Sequence, residues 1–380
     1  MHKKASSRFD SASKRHDGAS ARRIKRNIVA ALIAGALSGG AFAQSSVTLS
    51  GLVDAFAGSM QPSGSQRVST LGTAGMSTPY WGVSGTEDLG GGLNAEFNLA
   101  SFFQDNTGAA GRFSGNETFF SRDAYVGLKG AFGTVHLGRD LAPNFLPTAL
   151  FNAFGDSFTF SPIVLHANVP LFNGTGWPAA NAGDTGWSNE VHYTTPNFSG
   201  FTGDLYYQFG GVAGDNSQHN IGASFLYFNG RFGLGGFAHQ VRVNNPLPGT
   251  LGNVELGFSQ QNAWMLSGKV ALGIANVYAN YEQTRNDNYN GGPAGNADSK
   301  TWSLSADIAA GPGKVMVAYA NTKWTTSPTS VLDGTKRGTF SLGYDYNLSK
   351  RTDLYAVYMN DKITNYDTGN SFGIGMRHRF

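Results

Sequence analysis

The last ten residues, Ser371-Phe372-Gly373-Ile374-Gly375-Met376-Arg377-His378-Arg379-Phe380, alternate strictly up to the final position. Phe372, Ile374, Met376 and Phe380 share one phase, with His378 among them. Gly373, Gly375, Arg377 and Arg379 share the other. Successive side chains of a strand point to opposite faces, so this segment is a strand with one apolar side and one small or charged side. Soluble sheets also alternate, but they blunt their exposed edges. A chain that closes on an aromatic strand needs a partner for it. A closed barrel supplies one by pairing the last strand with the first.

The same period recurs along the chain. Trp302, Leu304, Ala306 and Ile308 alternate with Thr301, Ser303, Ser305 and Asp307. Leu205, Tyr207 and Phe209 alternate with Asp204, Tyr206 and Gln208. Segments of about ten residues suit tilted strands that cross a bilayer. We read sixteen: 46–57, 79–87, 93–103, 118–129, 134–140, 187–195, 201–209, 220–228, 231–241, 261–270, 274–284, 299–309, 314–324, 338–347, 353–361 and 371–380. Tight joints such as Asn229-Gly230 and Gly311-Pro312-Gly313 alternate with long polar stretches such as 58–76, 104–117 and 242–260. One rim of a membrane barrel carries turns and the other carries loops. The alternative is a soluble β-sandwich, which would not need aromatics at so many strand ends.

Residues 22–43 have the form of a secretory signal. Arg22, Arg23, Lys25 and Arg26 precede the apolar run Ile28–Leu37, and Ala41-Phe42-Ala43 fits a small-x-small cleavage site. The division expected is therefore a leader over 1–43 and a barrel over 44–380. The polar first 21 residues are long for a signal, and both an extended leader and a start downstream of Met1 accommodate them. The leader holds 9 Lys and Arg and 2 Asp. Residues 44–380 keep 19 of the 28 basic and 23 of the 25 acidic residues, a formal net charge of −4 against +3 for the whole chain. No basic footprint for nucleic acid survives. Cysteine is absent, which excludes disulfides and thiol chemistry.

Residues 141–186 break the rhythm. They hold Phe145, Leu146, Leu150, Phe151, Phe154, Phe158, Phe160, Ile163, Leu165, Leu171, Phe172 and Trp177. A loop this long is functional when it is not disordered, and its apolar residues require shelter. The lumen is the shelter a barrel offers, so this third long loop is expected to fold inward. Pro147–Ala153 is a candidate short helix within it.

No P-loop, nucleophile elbow or zinc-protease helix occurs, and no enzyme, cofactor or metal is expected. Asn286-Asp287-Asn288-Tyr289-Asn290-Gly291 resembles the start of a calcium loop, but Ala297 stands where a bidentate Glu is needed. His136 and His239 can face the lumen, and isolated histidines make no metal site.

The chain resembles the trimeric general-diffusion porins of Gram-negative outer membranes, especially the proteobacterial branch with a C-terminal His-Arg-Phe. Ser46–Ala55 resembles the first strand, Gly85–Leu93 the first turn, and Arg122–Gly130 through Arg139 the fourth and fifth strands. Tyr193–Phe201 and Tyr344–Tyr355 continue the match. The resemblance implies an all-β, sixteen-stranded antiparallel transmembrane barrel. It implies a homotrimer in outer-membrane lipid and lipopolysaccharide, passing small polar solutes and ions without a cofactor. It also implies an exported outer-membrane location and a terminal Phe380 read by the barrel assembly machinery. The loop 141–186 would form the constriction, and a substrate-specific porin for one nutrient class is the alternative reading.

Within that frame Arg122 and Asp156 are expected at the constriction, with Tyr80 as a wall contact and Asp184 as the loop's second acid. Alternation leaves the face of Arg122 open. Arg377 and Arg379 are expected at the periplasmic mouth. Gly51 and Ala55, small and in the outward phase, are expected at the trimer interface, with Arg139, which shares phase with Val135 and Leu137. Few charges on the loop imply mild charge selectivity.

Overall fold

The computed structural model describes residues 46–112, 117–168, 171–172, 177–178, 184–243, 245, 259–287, 296–326 and 333–380. The leader expected over 1–43 lies outside them. β1 (Ser46–Met60), β3 (Tyr80–Gly90), β4 (Leu93–Phe102), β5 (Asp123–Gly130) and β6 (Gly133–Leu141) begin the barrel. β9 (Gly186–Thr194), β10 (Phe201–Phe209), β11 (His219–Phe228), β12 (Phe232–Val241) and β13 (Gln260–Ala271) continue it. β14 (Ala275–Asp287), β15 (Ala297–Ala310), β16 (Gly313–Thr326), β17 (Lys336–Asn347), β18 (Thr352–Ile363) and β19 (Gly369–Arg379) complete the sixteen. Each pairs antiparallel with its neighbours, and β1 pairs with β19 to close the ring.

Closure runs to the last residue. Gly51 and Phe380 exchange both backbone hydrogen bonds, at 3.1 and 3.0 Å. Among the described residues, the barrel ring itself is left without an open edge.

Exposure is inverted relative to a soluble sheet. On β19 the side chains of Phe372, Ile374 and Met376 lie open on the outside, while Ser371 and Arg377 are buried inside. On β15, Trp302 and Leu304 face out while Thr301, Ser303 and Asp307 are buried. An apolar exterior with a polar lumen is the arrangement a bilayer selects. Trp264, Tyr281, Trp302 and Tyr319 lie exposed on four successive strands, and their rings pair at 5.7 Å (Trp264–Tyr281) and 5.4 Å (Trp302–Tyr319). Such a row is an interfacial girdle, where an amphipathic ring meets both tail and headgroup.

Two features depart from the sequence reading. A short strand, β2 (Val68–Thr73), pairs with the outer half of β1 inside the stretch expected as loop 58–76. The fourth barrel strand starts at Asp123 rather than 118, so Arg122 stands just ahead of it.

The long third loop folds inward. α1 (Phe145–Ala149) and α2 (Pro162–Ala167) lie in it, with a two-residue pair β7 (Leu171–Phe172) and β8 (Trp177–Pro178) beyond. The loop's backbone carbonyls are met by wall side chains. Ser267 donates to Pro147, Asn280 to Phe151, Ser341 to Phe160 and Arg337 to Leu165. Phe151, Phe154, Phe160 and Leu165 are buried with wall residues such as Phe56, Met316 and Tyr355. Apolar burial pulls the loop in, and satisfied carbonyls let its backbone stay there. The expected helix over 147–153 is shorter and earlier, because Asn152 turns back to bond Thr148 and Gly155 carbonyls.

Candidate functional site

The first and third loops meet over Asp54 of β1. Its carboxylate accepts the backbone N–H groups of Met76 and Ser77 at 2.8 and 2.7 Å, and the Tyr355 hydroxyl. Gly75 fits only as glycine here, since a Cβ would stand 1.9 Å from the Tyr355 oxygen. Ser77, held in this way, receives Arg377 Nη1 at 2.9 Å and donates to Asp156 Oδ1 at 2.9 Å.

Arg122, Asp156 and Tyr80 come together. All three line a cavity of about 70 Å³ between loop and wall, with Ser77, Arg112 and Arg139. Arg122 lies over the Tyr80 ring, 4.2 Å from its centre, and pairs with Asp123. Arg122 and Asp156 therefore share the cavity, each held by a different partner. Because Arg122 precedes β5, strand phase does not govern its direction.

Arg139 does not take the outward place expected of it. The register between β6 and β9 slips between Gly138 and Asp140, where Asn189 adopts φ +52. A bulge re-aims side chains. The Arg139 guanidinium is buried and donates to Ser121 O, Gly186 O and Ser188 Oγ at 2.8, 3.1 and 3.0 Å. It has been turned into the cavity lining rather than the outward phase it shares with Leu137.

Asp184 sits where the loop rejoins β9. Its carboxylate receives Arg112 Nη1 and Nη2 at 3.0 and 2.6 Å, and Arg139 Nη2 lies 3.5 Å away. Burial opposes ionisation, yet the Arg112 charge and hydrogen bonds, helped by Arg139, hold the carboxyl below the usual aspartate range. Arg112 also bonds Glu117 Oε1 at 2.5 Å and lies over Phe102, so its own proton is held more tightly than usual. Arg112 was not expected here. It belongs to the polar stretch 104–117, and nothing in its local pattern points to a partner 72 positions away.

Arg377, expected at the periplasmic mouth, is buried and bonds Asp353 and Asp345 as well as Ser77. It thereby joins the wall that faces the loop. Arg379 pairs with Asp353 and keeps a solvent-exposed side chain. Gly51 is small for a reason inside the chain, since a Cβ would meet the Phe380 ring at 2.4 Å. Together Arg112, Arg122, Arg139 and Arg377 place four guanidinium groups beside the loop, against Glu117, Asp123, Asp156, Asp184, Asp345 and Asp353. A polar lumen with both signs fixed in place orders water and discriminates solutes by charge and polarity.

Comparison with known proteins agrees with this architecture. Residues 29–366 match the family described as Gram-negative porin. The outer membrane porin protein 32 of Delftia acidovorans is 33% identical over 346 residues, covering 87% of this chain and 88% of that one. The major outer membrane protein P.IB of Neisseria meningitidis is 26% identical over 310 residues, covering 79% and 82%. Among solved structures, an anion-selective porin from Comamonas acidovorans superimposes with a TM-score of 0.70 at 26% identity, over 89% of this chain and all of that one. With a closed sixteen-stranded barrel, an apolar outer band and a polar lumen crossed by a loop, this chain belongs to the Gram-negative porin family: it is an outer-membrane channel for passive diffusion.

Proposed function

We propose that the loop 141–186 is the channel's constriction and that the cavity lined by Tyr80, Arg122 and Asp156 is part of its narrowest polar surface. The observation that carries this reading is the chain of contacts from Arg377 through Ser77 to Asp156, which fastens an acid of the loop to a basic wall. Small hydrophilic solutes and ions would pass without binding tightly. The four arginines beside the loop are matched by at least as many carboxylates, which supports weak charge selectivity. The similarity to an anion-selective porin supports anions as the preferred sign. A porin specific for one nutrient class is the second reading, favoured by the aromatic loop residues.

Three copies are the proposed assembly, as in relatives of this family, with the outer face of β1 around Gly51 and Ala55 as the contact surface. Phe380 is proposed as the assembly signal, and Arg379 as a periplasmic-mouth charge. The test is single-channel conductance of the purified protein in a planar bilayer under a salt gradient. Closures in three equal steps support the trimeric pore, and a small reversal potential of anion-selective sign supports the weak eyelet. Saturable block of the current by one solute would favour the specific reading.

A further inference from the structure

On the lumen side of the wall, two histidines converge on one aspartate. His136 and His192 are directly paired across β6 and β9. Their Nδ1 atoms lie 2.5 and 2.9 Å from the same oxygen, Asp140 Oδ2. The three donor atoms all lie within 4.8 Å of one another. We propose that His136, Asp140 and His192 form a divalent transition-metal site, of the kind zinc occupies, on the inner wall of the channel.

The outer contacts of the two rings carry the argument further. His136 Nε2 lies 2.7 Å from Glu96 Oε1, and His192 Nε2 lies 3.2 Å from Asp204 Oδ1. A metal-binding imidazole characteristically gives its other N–H to a carboxylate, which fixes its tautomer and orientation. A neutral imidazole has one ring proton. If that proton serves the outer carboxylate, each Nδ1 presents a lone pair toward an aspartate oxygen, and a cation bound by all three atoms would remove the repulsion. The rings are held in this pose by stacking, His136 on Tyr125 at 3.9 Å and His192 on Tyr206 at 4.2 Å.

An independent observation points to the same place. Glu190, two residues before His192 on the same face, is buried, and neither carboxylate oxygen has a hydrogen-bond partner. A buried carboxylate without a partner is costly. His192 and Arg139 already lie near this carboxylate; a metal at the triad would add further positive charge beside it, and water would take the fourth position. Two nitrogens and one or two carboxylate oxygens suit zinc, nickel or copper better than calcium or magnesium, which prefer all-oxygen shells. The ligand atoms would spread by under ~1 Å to accept a bond length of about 2.0–2.2 Å.

The site bears on transport. The ion would add two positive charges to a wall patch holding Glu96, Asp140, Glu190 and Asp204, and so favour anions.

The experiment uses untagged protein, folded in detergent and stripped with chelator, titrated calorimetrically with Zn²⁺ alone at pH 7.5. About one Zn²⁺ per chain is expected. His136→Gln and His192→Gln should each weaken binding by at least tenfold, while Glu96→Gln and Asp204→Asn, which meet the two rings at their outer nitrogens, should weaken it by about 10–100-fold. Folding of each variant is checked by heat-modifiable gel mobility. The wild type also gives a test free of mutations: Co²⁺ should produce a visible absorption of a nitrogen–oxygen site, displaced by one equivalent of Zn²⁺. Absence of stoichiometric binding in the wild type would overturn the proposal. So would binding undiminished in the folded double variant His136→Gln/His192→Gln, because the ion would then sit on other carboxylates. If two imidazolium groups fill the cation's role instead, the wild type binds no zinc and the proposal fails.

Discussion

Arg337 of β17 and Asp361 of β18 meet at 2.9 Å with neither side chain exposed. The same guanidinium donates to the carbonyl of Leu165 in α2, and the same carboxylate accepts Thr339 and the backbone N–H of Ser63. One pair thus ties the wall to both the first and third loops. Removing one member leaves the other charged and buried, which costs about 3–5 kcal/mol. Asp361→Asn should lower stability by that order in urea unfolding of the folded barrel, and should speed proteolysis between Phe154 and Asn168.

His166 of α2 is clamped between Thr322 and Thr339, 2.8 Å from each hydroxyl. Burial, with the Arg337 charge nearby and Asp361 beyond it, keeps the imidazole neutral, well below its ordinary value. Once the loop is released, the ring titrates near ~6.5. The released state therefore takes up more protons below that pH, and docking weakens as pH falls through it. Hydrogen exchange in 162–168 should rise between pH 7.5 and 5.5, and His166→Gln should flatten that dependence.

Asp184 works in a lower window. Its folded value is depressed by Arg112 and Arg139, so its contribution is complete above the ordinary aspartate value of about 3.9 and is lost as pH falls through the lower folded value. Pepsin cleavage near the loop's return to β9 should increase below pH 4 in the wild type. In Asp184→Asn it should be faster already at pH 4 and respond less to further acid.

Gly51→Ala sets a methyl against the Phe380 ring and the Tyr80 carbonyl, 2.4 and 2.7 Å from its Cβ. Overpacking of this kind costs roughly 1–3 kcal/mol. The melting temperature of the folded form should fall in detergent-dissociated monomers as much as in trimers. An effect confined to trimers would mean that packing between subunits, and not the Phe380 ring, sets the need for glycine here.

Asp156→Asn removes a loop acid and leaves Ser77 and Arg377 in place. The reversal potential should move toward anions, by roughly twofold in permeability ratio at low salt. It should shrink as salt shortens the screening length, about 8 Å near 0.15 M.

The barrel was legible in the sequence because lipid on one side and water on the other leave a period of two that turns cannot blur. The inward loop was legible for a similar reason, since Phe151, Phe154 and Phe160 had nowhere else to hide. What stayed hidden was set by register. Arg139 follows Leu137 in phase, and only the slip opposite Asn189 turns it inward. Arg377 reaches Ser77 across 300 positions, through ring closure that no local pattern encodes. His136 read as solitary because its partner, His192, stands 56 positions later, beyond the whole loop, yet directly across a strand pair. β2 was missed because Val68–Thr73 is short and half polar.

The seam between Gly51 and Phe380 also sets a schedule. The first strand of the barrel finds one of its two neighbours only in the last strand of the barrel. No order of strand addition can finish the cylinder before that last strand has been made. Every apolar outward face must therefore cross the aqueous periplasm before it has a bilayer to meet. For such a protein the hazard lies in transit, and whatever keeps the unfinished chain from pairing with its neighbours is as necessary to the pore as the pore's own walls.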